Sequence, residues 1–280
     1  VCRAVAAAVL GDATKIDVQS VTNAVRFTAL ANGESDVLVR TTTWSLLRDS
    51  QLGLDFQGVN FYDGQGFMVR KDSGIKSAKE LNGATICVIT GTTTELNLAD
   101  YFRTNNMTYK AFTTADSNVA RETYEKGGCD ANTNDKSSLA SSRATFAKPG
   151  DHVILPETIS KEPLGPVTRH GDNQWGDIVR WSLFAMIAAE EFGITSANVD
   201  KVRAETKDPE IRRMLGVEGE LNKGLGVDKD WAYRIIKQVG NYGESYERNV
   251  GPTTPLNIPR EGSLNALWTK GGLMYTPPFR

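Results

Sequence analysis

Residues 84–103 decide the fold, and they read Ala-Thr-Ile-Cys-Val-Ile-Thr-Gly-Thr-Thr-Thr-Glu-Leu-Asn-Leu-Ala-Asp-Tyr-Phe-Arg. The first seven residues carry no charge and are mainly apolar or β-branched, which is typical of a buried strand. Gly91 permits a tight turn, and the residues after it predict a helix up to about Arg103. A buried strand that turns directly into a helix indicates an α/β unit.

The rest of the first 155 residues repeats this alternation of strands and helices. Before residue 70 we expect helices at 1–10 and 23–31 and strands at 15–18, 35–39 and 61–69. A second α/β unit starts near residue 72, with strands at 84–90, 109–112, 129–133 and 153–155 and helices at 77–81, 117–125 and 137–145. After two prolines at 163 and 166, the pattern predicts helices at 173–191, 209–215 and 229–246 and then an irregular tail.

Composition excludes several classes of protein. The chain has 280 residues, of which 40% are hydrophobic and 8% aromatic, enough for a packed core. Its 32 basic and 34 acidic residues are nearly balanced and form no basic cluster, which argues against nucleic-acid binding. No apolar run approaches the roughly 18 residues of a membrane span. Two histidines and three cysteines exclude a His-rich metal site and a disulfide scaffold, and no catalytic motif is recognisable.

A threonine-rich turn follows the strand at 84–90. Thr92 and Glu95 have the spacing of a capping box, and the free N–H groups of a helix start bind anions such as carboxylates. We therefore regard Gly91, Thr92, Thr93 and Thr94 as candidate ligand residues. An ordinary helix cap is the alternative.

A second polar segment, with Thr41, Thr43 and Arg48, follows the strand predicted at 35–39. Threonine hydroxyls both donate and accept, and an arginine fork suits a carboxylate. Asp135 follows the strand at 129–133, where it could face a bound ammonium, since ligands of such sheets lie beyond the carboxyl ends of the strands. The alternatives are a solvated surface arginine and an aspartate that caps the next helix.

Four runs of sequence resemble the periplasmic general L-amino-acid-binding proteins of ABC uptake systems. They are Gly-Val-Asn-Phe-Tyr-Asp-Gly-Gln-Gly-Phe-Met-Val-Arg-Lys (58–71), Thr-Gly-Thr-Thr-Thr-Glu-Leu-Asn-Leu-Ala-Asp-Tyr-Phe (90–102), Ile-Ser-Lys-Glu-Pro-Leu-Gly-Pro (159–166) and Asn-Ala-Leu-Trp-Thr-Lys-Gly-Gly (265–272). The resemblance covers essentially the whole chain.

The resemblance implies a bilobal type II binding-protein fold, with two doubly wound α/β lobes joined by two hinge strands. Lobe one would comprise residues 1–70 and 163–280, and lobe two residues 73–160, with hinges near 69–72 and 163–167. Proteins of this group begin with a strand and loop that contact the ligand. We therefore expect this chain, which opens at Val1 as if already in a helix, to lack that part of the pocket.

The resemblance also implies a function and a set of contacts. Arg48 would hold the α-carboxylate of a free L-amino acid, helped by the N–H groups of Thr43 and Thr93. Asp135 and Thr41 would take its α-ammonium. A monomer in the periplasm would bind amino acids broadly, without cofactor, metal or catalysis, and deliver them to the permease subunits of an ABC transporter. A dehydratase-like enzyme and a ligand-sensing module on the same fold are the alternatives.

Cys87 and Cys129 would lie on neighbouring strands of lobe two if its first and third strands pair. An oxidising periplasm would permit a disulfide there, with two packed thiols as the alternative.

Overall fold

The computed structural model describes all 280 residues as an α/β protein of two lobes. The helices are α1 (Cys2–Leu10), α2 (Arg26–Ala31), α3 (Leu46–Gln51), α4 (Thr93–Thr104), α5 (Ser117–Glu125), α6 (Lys136–Ala144), α7 (Asn173–Glu191), α8 (Val199–Glu205), α9 (Pro209–Met214), α10 (Asn222–Leu225), α11 (Trp231–Val239) and α12 (Tyr242–Asn249). The strands are β1 (Leu54–Phe56), β2 (Phe61–Asp63), β3 (Gln65–Arg70), β4 (Thr85–Ile89), β5 (Lys110–Thr114), β6 (Ala131–Asp135), β7 (His152–Ile154), β8 (Glu162–Leu164) and β9 (Val167–Arg169).

Lobe two is built on a five-stranded sheet with the order β5-β4-β6-β3-β7. The strand β4 runs parallel to β5 and β6, as the predicted strand–helix units require, while β3 is antiparallel to β6 and β7. Its apolar core includes Phe67, Ile86, Leu98 and Phe102, which are almost completely buried. The helices α4 and α6 therefore begin at the same edge of the sheet, where the parallel strands β4 and β6 end.

The lobes are connected through β2 and β8, which pair antiparallel with Asp63 opposite Glu162. The strand predicted over 61–69 is divided at Gly64, where a Cβ atom would overlap Thr158 and lie 2.9 Å from the carbonyl oxygen of Ser160. The expected boundary of lobe one at residue 70 and the expected hinge at 69–72 are wrong, because β3 already belongs to the lobe-two sheet. The chain enters lobe two at about Gly64.

Lobe one is mainly helical, with α1, α7, α11 and α12 around its core. The helix predicted at 1–10 is confirmed, and its residues Ala4, Ala7 and Ala8 are fully buried. No helix of the protein has the length and apolar character needed to cross a membrane.

The strands predicted at the start of lobe one are wrong or incomplete. Residues 15–18 form no strand, and residues 35–39 make one isolated bridge, from Leu38 to Val167. A groove of about 700 Å³ lies between these two segments and α1. The sheet of lobe one is therefore only β1 paired with β9. Two predicted helices are shorter than expected, since α2 begins at Arg26 and residues 77–81 hold only a 3₁₀ turn, Ala78–Leu81.

The structure joins Cys87 to Cys129 in a disulfide, with their Cα atoms 5.7 Å apart. Cys87 lies on β4, and Cys129 precedes β6, the parallel neighbour of β4. Both sulfurs belong to a buried cluster with Met68 and Tyr124. The third cysteine, Cys2, is free and partly exposed.

The bond should stabilise the protein measurably. It links residues 42 positions apart, and cross-links of this length typically add about 2–4 kcal/mol to the free energy of unfolding. We therefore expect a reductant to lower the melting temperature of the wild type by several degrees, and to leave that of a Cys87→Ala/Cys129→Ala variant unchanged. Thiol titration of the unfolded, unreduced chain should find one thiol, from Cys2. Three thiols would contradict the bond.

Candidate ligand-binding cleft

Residues predicted from both lobes meet beside the hinge. The segment around Thr43 runs along β8, with a bridge from Thr43 to Leu164 and a hydrogen bond of 2.8 Å from the Trp44 N–H to the Pro163 carbonyl. This pairing places the Thr43 hydroxyl 3.5 Å from the hydroxyl of Thr93, at the start of α4 in lobe two. The two threonine-rich turns therefore face each other across the junction of the lobes.

Glu162 lies at the centre of this junction, and sequence reasoning did not identify it. Its carboxylate is almost completely buried and accepts hydrogen bonds from the hydroxyls of Thr43 and Thr93, the latter at 3.1 Å. It also accepts bonds of 2.7 Å from Asn97 and Ser160. The available signal was an acid beside Pro163 in the quoted segment 159–166. Glu162 thus links lobe one, lobe two and the hinge.

Arg48 is buried on α3 and points its guanidinium towards the junction. Its single hydrogen bond runs from Nη1 to the Thr43 carbonyl, at 3.0 Å, and its guanidinium carbon lies 5.3 Å from the centre of the Phe27 ring. Burial lowers its pKa, while the negative charges of Glu162 and Asp135 act in the opposite direction. The remaining N–H groups of Arg48 are available to a carboxylate.

A second buried arginine, Arg26, was also missed. Only 2% of its surface is exposed, and its Nη1 donates to the Thr41 carbonyl at 2.8 Å. Its Nε is buried without a hydrogen-bond partner. Burial, with smaller contributions from Arg48 and Arg40, lowers the pKa of Arg26 to about 9. A charged residue inside a predicted helix was the only sequence signal for it.

Asp135 is the last residue of β6 and occupies the N-cap position of α6, but its side chain does not cap that helix. Asp63 takes this role from the hinge, since its carboxylate accepts a hydrogen bond of 3.2 Å from the Ser137 N–H. The Oδ1 atom of Asp135 is consequently buried without a partner. This geometry argues against the alternative of a plain capping aspartate.

The surroundings of Asp135 raise its pKa to about 8. Burial is the main cause, and the nearby carboxylates of Asp63 and Glu162 add to it, while Arg26 and Arg48 oppose the shift. A carboxyl group in this state gains a partner when a cation approaches. Asp135 can therefore receive an ammonium group.

Thr92 and Thr94 shape the turn rather than point across the cleft. The Thr92 hydroxyl accepts from the Glu95 N–H, donates to the Ile89 carbonyl at 2.6 Å and lies 2.7 Å from the Thr94 hydroxyl. Glu95 bonds the N–H of Gly91 instead of that of Thr92, so the predicted capping box is only partly formed. Among the three threonines, only Thr93 brings its hydroxyl to Glu162.

A cavity of about 530 Å³ adjoins this cluster and is walled by both lobes. Of the predicted ligand residues, only Thr41 lines it, and Asn134, the neighbour of Asp135, lines it from lobe two. The other predicted residues are not among those that line the cavity. We call the cavity and the neighbouring charged cluster together the cleft.

Comparisons with known proteins agree with this architecture. A family model described as "NMT1/THI5 like" matches residues 56–134. The chain is 60% identical to the glutamate/glutamine/aspartate/asparagine-binding protein BztA of Rhodobacter capsulatus, and 54% identical to the general L-amino acid-binding periplasmic protein AapJ of Rhizobium johnstonii. Each alignment covers 100% of this chain and 82% of the relative.

A solved structure is similar over the whole chain. It is an ABC transporter/periplasmic binding protein from Brucella ovis with glutathione bound, 53% identical, with a TM-score of 0.97 over 100% of this chain and 87% of that one. The type II bilobal fold expected from the sequence is thereby confirmed.

The raised pKa of Asp135 predicts a pH-dependent stability. Below about pH 4 the carboxyl is protonated in both the folded and unfolded states. Between about 4 and 8 the folded state retains a proton that the unfolded chain has released, so the free energy of unfolding should fall as pH rises through this window. We expect denaturant unfolding at several pH values to show that the free energy of unfolding falls clearly less with pH in Asp135→Asn than in the wild type.

Asp100→Asn is the matched control, because Asp100 is exposed on α4 and pairs only with Arg103. Its free energy of unfolding should depend on pH as that of the wild type does. If the free energy of unfolding of Asp135→Asn also depended on pH as in the wild type, Asp135 would not be held protonated by its surroundings.

Proposed function

The chain belongs to the family of periplasmic amino-acid-binding proteins of ABC transporters, and we propose that it binds free L-amino acids in the cleft and delivers them to a membrane permease. One observation carries this proposal: Arg48 and Asp135 both lie at the junction of the lobes, where Arg48 has free donors and Asp135 has a free acceptor. An α-amino acid carries the complementary carboxylate and ammonium on one carbon.

The surrounding groups support the same ligand. The N–H group of Thr43 makes no hydrogen bond within the protein, and Thr93, as the first residue of α4, has no intrahelical acceptor for its own N–H. Both can add to the carboxylate contact with Arg48. Thr41, on the cavity wall, would join Asp135 at the ammonium.

The charge of the cluster favours a ligand that includes a cation. Asp63, Asp135 and Glu162 face Arg26 and Arg48, so full ionisation leaves one excess negative charge. In the absence of a cation, Asp135 reduces this excess by keeping its proton. A ligand ammonium would replace the proton.

Delivery to a permease depends on lobe closure. The contacts of Glu162 with Thr43 and Thr93 connect the lobes at the hinge. A ligand that binds both lobes stabilises the closed arrangement, which is the usual hinge-closure behaviour of two-lobed binding proteins. We propose that the permease recognises the closed form.

Binding without chemical conversion is the part of the proposal that separates it from an enzyme. The relatives named above are binding proteins.

The disulfide fits an oxidising compartment, and we place the protein in the periplasm, as the names of the relatives suggest.

A thermal-shift panel of the twenty amino acids tests this function. A ligand present at about 100 times its dissociation constant stabilises a folded protein by roughly 2.7 kcal/mol, which shifts the melting temperature clearly. We expect several amino acids to shift it, and mass spectrometry to recover them unchanged. No shift with any amino acid would contradict the function.

Arg48→Ala should reduce affinity for the best ligand by at least about tenfold, because a charge-assisted hydrogen bond is lost. Arg48→Lys should recover little, since lysine lacks the planar fork. Arg103→Ala, at an exposed site on α4, is the control and should bind normally. Wild-type affinity in a folded Arg48→Ala variant would rule out this carboxylate site.

A further inference from the structure

The wall of the cavity has an unusual distribution of charge. Two arginines line it, Arg40 from lobe one and Arg121 from lobe two, and no aspartate or glutamate does. The other residues of the wall are mostly serine, asparagine and threonine. The cavity is therefore a polar space with positive charge contributed by both lobes.

Arg40, which lines both this cavity and the groove beside α1, has an unsatisfied donor. Its Nη2 donates to Asn23 Oδ1 at 2.6 Å, while its Nη1 is buried and has no hydrogen-bond partner. None of the protein's salt bridges involves Arg40, and burial lowers its pKa. A buried guanidinium without an acceptor is costly, and an anion in the cavity would remove that cost.

Arg121, on α5, is also poorly neutralised. Its side chain is only 28% exposed, and its Nη1 donates to the neutral hydroxyl of Thr145 at 3.2 Å. The carboxylate nearest to it, that of Glu122, lies 4.0 Å from Nη2 and is half exposed to solvent. Such a pair contributes little, so Arg121 retains the capacity to bind an anion.

Neutral donors line the same cavity as the two arginines. The helix α6 presents Ser137, Ser138, Ser141 and Ser142 to the cavity, a spacing that places these hydroxyls on one helix face. Asn134, next to Asp135, lines the same wall. A ligand held by its α-carbon groups at Arg48 and Asp135 would thus have a polar path for its side chain.

The volume also exceeds the need of a small side chain. About 530 Å³ lies within the range of roughly 300–1,000 Å³ that is usual for pockets of drug-sized ligands. The cavity accommodates a long side chain together with water.

We propose that Arg40 and Arg121 form an anion subsite that binds the side-chain carboxylate of an acidic amino acid, so that the cleft binds glutamate more tightly than its neutral amide. The subsite depends on the proposed amino-acid-binding function and defines its preferred ligand class. Because one arginine comes from each lobe, the side-chain carboxylate also favours lobe closure.

L-Glutamate and L-glutamine are the probes that separate this subsite from the α-carbon contacts, since they differ by one charge at nearly the same size. Calorimetry measures both affinities for the wild type, Arg40→Gln, Arg121→Gln and the control Arg103→Gln. Each variant at the subsite should lose at least about tenfold for glutamate and less than about twofold for glutamine. Arg103→Gln, which lies at an exposed site, should change neither affinity.

The outcomes distinguish the two proposals. Equal losses for both amino acids, or unchanged glutamate affinity in both variants, would overturn the subsite while the proposed function stands. Wild-type protein that binds neither glutamate nor glutamine would overturn the subsite, and it would overturn the function as well only if no other amino acid of the thermal-shift panel bound. Melting temperatures without ligand verify that each variant is folded, and Arg121→Lys, which keeps the charge, should recover part of the glutamate affinity.

Discussion

The structure depends on a group of ionisable side chains enclosed where the two lobes meet. Arg26, Arg48, Asp135 and Glu162 are buried there, and Asp63 is half-buried beside them. Burial of a charge is tolerated only when partners compensate for it. Most of these groups have found partners within the protein, but Asp135 Oδ1 and Arg26 Nε have none. The cluster is therefore incomplete in a way that a small zwitterion can complete.

The hinge is part of this cluster and not only a connection. Asp63 and Glu162 face each other on β2 and β8, the two strands that join the lobes. Asp63 caps α6 and so frees Asp135, while Glu162 receives the hydroxyls of Thr43 and Thr93. A change in the angle between the lobes must alter these contacts. We therefore expect ligand binding and lobe movement to be coupled through these two carboxylates of the hinge.

Local signals predicted the parts of this structure that depend on neighbouring residues. The strand–turn–helix at 84–103 formed as expected, because burial of the strand and the glycine turn are encoded within those residues. The position of Asp135 at the end of β6 was predictable because parallel strands bring their carboxyl ends to one edge of a sheet. Parts that depend on remote residues were not predictable: Glu162 acquires its role from Thr43 and Thr93, at sequence distances of 119 and 69. Residues 15–18 failed as a strand because a strand requires a partner that propensity alone does not supply.

The exchange of a proton on Asp135 for the ligand ammonium is the claim that unites burial, charge and binding. Isothermal calorimetry of amino-acid binding, repeated in buffers of different ionisation enthalpy, measures it directly. At pH 6–7 Asp135 is largely protonated in the free protein, so binding should release about one proton. The release should disappear well above pH 8, and it should be absent in Asp135→Asn. Binding to the wild type with the same enthalpy in every buffer would show that Asp135 does not exchange its proton for the ligand, and would contradict this origin of recognition.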